Sequence, residues 1–511
     1  MSNKSTKGIW KVISASSMGT MIEWYDFYIF GSLAVVISTK FFPSENPTAA
    51  FLSTLATFAA GFVVRPFGAL FFGRLGDLIG RKYTFMVTLL LMGGATFLIG
   101  CIPSYETIGF MAPLLVLVLR LLQGLALGGE YGGAATYVAE HAPVGQRGYW
   151  TSWIQTTATV GLFISLMVIL ATRNILTPEQ FDEWGWRVPF WVSIIMVGVS
   201  YLIRKNMDES PVFAKAKAEG KTSTNPLKES FGNRYNLKFV LLALFGATMG
   251  QGVVWYTGQF YAMSFMKTVM SIDSSQVDTL LGIALILGTP FFILFGWLSD
   301  KIGRKYIMMG GMLLAILLYR PIYKSMYETT NVENKSEIVE KTKLVAVLKE
   351  NKKQAQDSIY TTTKEYTDGT TSLQVKTVSL VNGKAIIVDG KAKAETKTTI
   401  NINTNDKWSL IFLIFVQVLF VTMVYGPIAA FLVEMFPVKI RYTSMSLPYH
   451  VGNGIFGGLL PAISTYFVTH AKDAGQNEFY LEGLWYPIVI TSICFVIGMI
   501  YIDNTKKNKH I

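Results

Sequence analysis

Two nearly matching strings, Gly73-Arg-Leu-Gly-Asp77-Leu-Ile-Gly80-Arg81-Lys82-Tyr83 and Gly296-Trp-Leu-Ser-Asp300-Lys-Ile-Gly303-Arg304-Lys305-Tyr306, lie 223 residues apart (73 to 296). Each is held between two long apolar segments. One such string could arise by chance in any loop. Two at matching places in two hydrophobic halves imply a duplicated membrane protein, the usual basis of alternating access in carriers.

The balance of residue types agrees. Of 511 residues, 51% are hydrophobic and only 15% charged, against about 25% charged in soluble domains. The net charge of +12 does not indicate a nucleic-acid partner. Most of the basic residues sit in short loops between apolar runs, where they set orientation. Cys101 and Cys494 fall inside predicted spans, so no disulfide framework is expected. The four histidines form no metal-ligand pattern, and no cofactor or metal is implied. The N-terminal apolar stretch lacks a cleavage site and reads as an uncleaved first span.

Apolar windows give twelve spans: 12–38, 51–73, 84–102, 110–139, 151–172, 187–204, 237–265, 276–298, 306–323, 408–432, 446–469 and 483–503. Alternate short loops are basic, at Lys4/Lys7/Lys11, Arg74/Arg81/Lys82, Arg147, Lys301/Arg304/Lys305, Lys439/Arg441 and Lys506/Lys507/Lys509. That pattern puts both termini and the loop around 205–236 in the cytoplasm, and the expected location is a plasma membrane, the inner membrane of a bacterium. The expected class is all-α integral membrane, two pseudo-symmetric six-helix halves. The divisions are an N-terminal bundle at 1–204, a cytoplasmic linker at 205–236, and a C-terminal bundle at 237–323 and 408–511, the latter including a short tail. An insertion occupies 324–407.

By parity, the insertion lies on the periplasmic or external face. Glu333–Lys353 has helical character. Thr370–Val388 alternates polar and apolar residues, with Asn382-Gly383 as a hairpin turn, so the segment is expected to be partly β. It is either a decorative loop or a small domain that contacts a partner or caps the transport mouth.

These residues resemble the major facilitator superfamily. The two strings are similar to its loop signatures after spans two and eight, and Arg120-Leu-Leu-Gln123-Gly124 to its span-four signature. The metabolite:proton symporter branch, with shikimate, 2-oxoglutarate and proline/betaine carriers, is resembled by several more strings. They are Ile22-Glu23-Trp24-Tyr25-Asp26-Phe27-Tyr28, Arg65-Pro66-Phe67-Gly68, Pro103–Gly109, Gly128-Gly-Glu130-Tyr131-Gly132 and Trp184–Phe190. The first loop departs from the signature at Leu78 and Tyr83, where basic residues are usual. Lys301 restores one of them in the second copy, so an asymmetric gate is expected.

Asp77, Arg81, Lys82 and Asp300, Arg304, Lys305 are the gating candidates. An acid at a helix N-terminus is favoured by the dipole, and basic groups across the mouth can pair with it in one conformation only. Glu23 and Asp26, three apart on one apolar helix, are proton-coupling candidates, since buried carboxylates are costly and mark pathways. Pairing with Arg65 or Arg120 is the competing structural role. Glu130 is a third proton candidate, in a glycine-rich stretch suited to close helix packing. The substrate-binding candidates are Arg120 and Gln123, with Tyr28, Gln251, Trp255, Tyr256, Gln259 and Tyr425. Arginine holds carboxylates bidentately, and positions 251, 255 and 259 form one aromatic-polar stripe. His450 and Asn453 are weaker candidates, and Glu434 is expected to pair at the end of span ten.

No phosphate-loop motif supplies an ATPase, and no catalytic constellation indicates an enzyme. The chain reads as a secondary transporter that moves a small organic acid or related metabolite by alternating access. The resemblance implies proton symport in the uptake direction. The expected partners are that metabolite, protons and the lipid bilayer, with a monomer as the functional unit. An osmolyte symporter for a betaine- or proline-like zwitterion is the alternative, with Trp255/Tyr256 and Trp24/Tyr25 as an aromatic cage. A transport-derived receptor is a further one.

Overall fold

The computed structural model describes residues 4–42, 53–54, 56–57, 60–205, 207–350, 356–381, 384–385, 387–388, 391–392 and 394–503. The N-terminal half contains α1 (Lys4–Ser32), α2 (Arg65–Leu78), α3 (Arg81–Ile99), α4 (Met111–His141), α5 (Arg147–Ile175) and α6 (Gly185–Lys205). The C-terminal half contains α7 (Arg234–Thr268), α8 (Ser274–Ile302), α9 (Arg304–Thr330), α10 (Thr404–Met435), α11 (Val438–Asp473) and α12 (Phe479–Tyr501). Among the described residues, the ten from α3 to α12 are long and apolar enough to cross a membrane. A short helix, Pro211–Ala218, lies in the linker.

Within each half the same neighbours pack: α3 on α4 and α6 in the first, α9 on α10 and α12 in the second. The halves meet along two equivalent seams, α2 against α11 and α5 against α8. Glycine makes the second seam close. A Cβ on Gly296 would lie 2.6 Å from the Gly148 carbonyl oxygen, so neither position tolerates a side chain without separating the helices. At the turns before α3 and α9, Gly80 and Gly303 have φ of 145° and 109°, a conformation that glycine alone adopts cheaply. The repeated glycines of the two strings thus set the same sharp entry into both helices.

Several helices differ from their expected spans, α11 starting eight residues early at Val438, and two of the differences have a visible cause. α9 runs to Thr330 because Tyr319 and Tyr323 continue its buried face, donating to the carbonyls of Val254 (3.2 Å) and Thr257 (2.9 Å). Its charged face, Arg320 and Lys324, faces Glu482 and Glu478. α7 starts three residues early, within the expected linker, and contains π turns at Leu244–Thr248 and Thr257–Tyr261.

The insertion is a sheet. Strands β1 (Lys343–Glu350), β2 (Gln356–Glu365) and β3 (Thr371–Val381) are antiparallel neighbours. β4 (Lys384–Ala385) also pairs with β3, and β5 (Ile387–Val388) pairs with β6 (Lys391–Ala392). β7 (Ala394–Asn401) completes the other edge of β3. The helical reading of Glu333–Lys353 is corrected: two short 3-10 turns lead into β1. Lys and Glu favour a helix locally, but cross-strand pairing with β2 decides the outcome. The Asn382-Gly383 turn lies outside the described residues. At the sheet's root, Lys335 donates to Asp368 and Asp406, both at 2.5 Å. Burial disfavours the Lys335 ammonium, but these two carboxylates outweigh it and raise its pKa. Ile400 exchanges backbone bonds with Ser271 and Asp273 before α8, so the sheet is anchored on the C-terminal half. The two cysteines are free.

Candidate functional site

A small cavity of about 20 Å³ sits between α1, α2 and α4, lined by Glu23, Asp26, Arg65, Arg120, Gln123 and apolar neighbours. That is room for a water molecule and far below the ~300–1,000 Å³ usual for ligand sites, so a substrate enters this closed arrangement only if the side chains around it separate. Asp26 is tightly held. Arg120 donates to it at 2.8 Å and Gln123 at 3.0 Å, while Gln123 also donates to Thr96 at 2.8 Å. The Arg120 guanidinium stacks 3.6 Å from the Phe30 ring centroid. Glu23 is held far more loosely, by one contact of 3.4 Å from Arg65. Arg65 is the residue the sequence reading left out of the site, although its Arg65-Pro66 string was noted. Its Nε is buried with no hydrogen-bond partner among the described residues.

The C-terminal half supplies the facing wall. Trp255 packs 4.9 Å from Trp24 and 6.4 Å from Tyr425. Tyr256 lies in the electrostatic field of Arg65 and Glu23, and Tyr28 in that of Tyr256. Gln251 and Asn453 exchange hydrogen bonds of 3.1 and 3.0 Å. Gln259 is buried but lies within the π turn Thr257–Tyr261, so the regular four-residue spacing that grouped it with 251 and 255 does not hold there. Trp255 Nε1 and His450 Nε2 are buried without hydrogen-bond partners among the described residues. Tyr25 is turned away and donates to the Pro189 carbonyl at 2.6 Å, which removes it from any aromatic cage.

On one side of this site the halves are joined by aromatic stacking. Tyr131 stacks on Tyr449 with centroids 3.8 Å apart, and the Tyr425 and Tyr449 hydroxyls are 2.7 Å apart. Beyond them lie the two repeated loops. Asp77 forms an ion pair with Arg81 at 2.7 Å and accepts from the backbone N–H groups of Tyr442 (3.3 Å) and Thr443 (2.8 Å). Asp300 pairs with Arg304 at 2.6 Å and accepts from Gly148 (3.0 Å) and Tyr149 (2.8 Å). Each acid therefore meets the first turn of a helical segment in the other half rather than that of the helix following it. Unsatisfied N–H groups and the helix dipole make such ends good anion sites.

The basic pairs divide their roles. Arg81 and Arg304 sit beside the acids, whereas Lys82 and Lys305 do not face the mouth. Lys82 donates to the Lys205 carbonyl at the end of α6, and Lys305 to the Met499 carbonyl near the end of α12. Glu140 and Arg441, which the sequence reading did not single out as a pair, form a 2.8 Å bridge between the halves. Ser210 of the linker also donates to Glu140. Glu434 pairs with Arg304 at 3.0 Å. Glu130 lies apart from the cavity, bound by Arg204 at 2.6 Å and Thr88 at 2.7 Å.

The family model described as "Sugar (and other) transporter" matches residues 11–234. The chain is 33% identical over 330 residues to the alpha-ketoglutarate permease of Escherichia coli K12, spanning 65% of this chain and 74% of the relative. It is 28% identical to the citrate-proton symporter of Salmonella typhi, over 93% and 92% of the two chains. A solved proton:xylose symporter of the major facilitator superfamily superposes with a TM-score of 0.70 at 14% identity, covering 98% of this chain and 97% of that one.

Proposed function

The chain belongs to the major facilitator superfamily of multi-pass membrane transporters, whose fold and relatives are those of carriers rather than enzymes, and we propose that it takes up a small organic acid together with protons. The observation that carries this reading is the contrast between the two cavity ion pairs. Asp26 has an arginine and a glutamine donor at hydrogen-bond distance, while Glu23 has one contact of 3.4 Å. Neutralising Glu23 therefore breaks less, and it makes Glu23 the proton carrier. Once protonated, Glu23 releases Arg65, whose guanidinium then takes a substrate carboxylate. Trp255 Nε1 and His450 Nε2 add polar contacts from the other half, since buried polar groups normally find partners.

The cycle follows from charge. A proton arriving from outside neutralises Glu23, and the substrate anion restores neutrality at Arg65. With the site uncharged overall, the halves rock about it, the Tyr131–Tyr449 stack and the Asp77 and Asp300 contacts separate, and both cargoes leave inward. Asp26 and Arg120 remain paired as the fixed frame. Glu130, fully engaged with Arg204, serves packing in this scheme. The Asp77 and Asp300 loops form the inner gate. α1 and α2 complete twelve spans, both termini face the cytoplasm of a bacterial inner membrane, and the sheet projects outside from a monomeric carrier.

The relatives named for alpha-ketoglutarate and for citrate with protons support an organic acid. A betaine-like zwitterion is the second reading, favoured by the Trp24–Trp255 pair and weakened by Tyr25 facing Pro189. Uptake into proteoliposomes separates the two. Mono-, di- and tricarboxylates, proline and betaine are offered with and without an inward proton gradient. The proposal expects a carboxylate to accumulate only with the gradient. Gradient-insensitive flux of the best substrate contradicts symport.

A further inference from the structure

A groove of about 440 Å³ runs along the outer side of the C-terminal half, between the start of α7 and the end of α12. It lies at the gate end of the molecule, because Lys305 of the second loop donates to Met499 near the end of α12. Leu237, Leu241 and Phe245 recur every four residues on α7 and face Ile497 of α12. Leu241 and Phe245 are 45% and 37% exposed. The floor is formed where the helices touch through glycine: a Cβ on Gly498 would lie 2.6 Å from the Gly246 carbonyl oxygen. The open end carries Arg234 and Lys238, one helical turn apart, and among the described residues the lining contains no acid.

We infer that this groove holds one anionic phospholipid, with its phosphate on Arg234 and Lys238 and its acyl chains along the apolar wall. Apolar surface alone would suit any lipid. Two cations without an acid at the polar end select for negative charge, as basic pockets at the membrane boundary do. The occupant would brace α7, the helix that also bears Gln251 and Trp255.

Native mass spectrometry tests this on the full chain released from nanodiscs of equal phosphatidylethanolamine and phosphatidylglycerol. The expected result is one retained phosphatidylglycerol per chain, in preference to the zwitterionic lipid. In R234Q/K238Q that retention falls about tenfold or more. In K217Q, which removes a charge from the linker helix outside the groove, it is unchanged. Should the double variant fail to purify as a monodisperse protein, K238E, at an exposed position, carries the same comparison. Equal retention of the two lipids overturns the assignment. So does undiminished retention in the groove variant, or a dimer mass with no bound lipid.

Discussion

The two repeated loops begin from nearly the same string and end in unequal contacts between the halves. Asp77 and Asp300 do the same thing, each accepting two backbone N–H groups at a helix start in the opposite half. Their surroundings differ. Beside the first loop, Glu140 bridges the halves to Arg441 at 2.8 Å, and Arg81 donates across to the Val438 carbonyl at 2.8 Å. Beside the second, Glu434 turns inward to Arg304, and Arg147, the counterpart of Arg441, donates to Ala139 of its own half at 3.2 Å. One seam carries a side-chain ion pair between the halves as well as its caps, whereas the other has its caps and a neutral hydroxyl contact, Thr289 to Thr159 at 2.8 Å. The asymmetry expected from Leu78 against Lys301 is therefore found elsewhere, since Lys301 is exposed and lies over Trp297. Duplication preserved the caps, and divergence placed the extra bridge on one side.

Substitutions can break or sharpen this contrast. R441A should have the largest effect, because it leaves buried Glu140 with the Ser210 hydroxyl and, as its remaining cation among the described residues, Arg81 at 3.8 Å. Removing one partner of a buried pair costs ~3–5 kcal/mol. Spin labels at exposed Ile79 and Tyr306 should report the gate end mostly open, together with a lower Tm. The matching R147A should change that distance distribution little. D77N comes next. It removes the main partner of Arg81, so the closed gate should lose ~1–3 kcal/mol, a shift of roughly 5- to 150-fold in the open-to-closed ratio. D300N should shift it less, because Arg304 keeps Glu434. Equal effects of D77N and D300N would mean that the caps alone set the gate. The smallest effects belong to K82Q and K305Q. Each loses an exposed hydrogen bond to a helix end, worth under ~1 kcal/mol, and transport should be nearly unchanged.

Much of this architecture was legible in the chain because its causes are local. Apolar windows locate the helices, and the glycines of the strings mark the same turn twice. The i, i+3 spacings of Glu23/Asp26 and Arg120/Gln123 bring the members of each pair to one cavity. What escaped depends on contacts across the sequence. Glu140 and Arg441 are 301 positions apart, and nothing in either neighbourhood names the other. Arg65 lay in view as a possible structural partner of Glu23, but only the distances show how weakly it holds that acid. The π turns of α7 spoil a stripe read on a regular helix. The β1 segment, rich in Lys and Glu, is a strand because β2 is beside it.

The central claim is that Glu23, rather than Asp26, passes the proton. It is tested most directly by comparing gradient-driven accumulation with counterflow exchange in proteoliposomes of the wild type and E23Q. A glutamine mimics the protonated acid, so E23Q should lose accumulation while retaining exchange of labelled for unlabelled substrate. Accumulation by E23Q at the wild-type level, with the same dependence on the proton gradient, would contradict it.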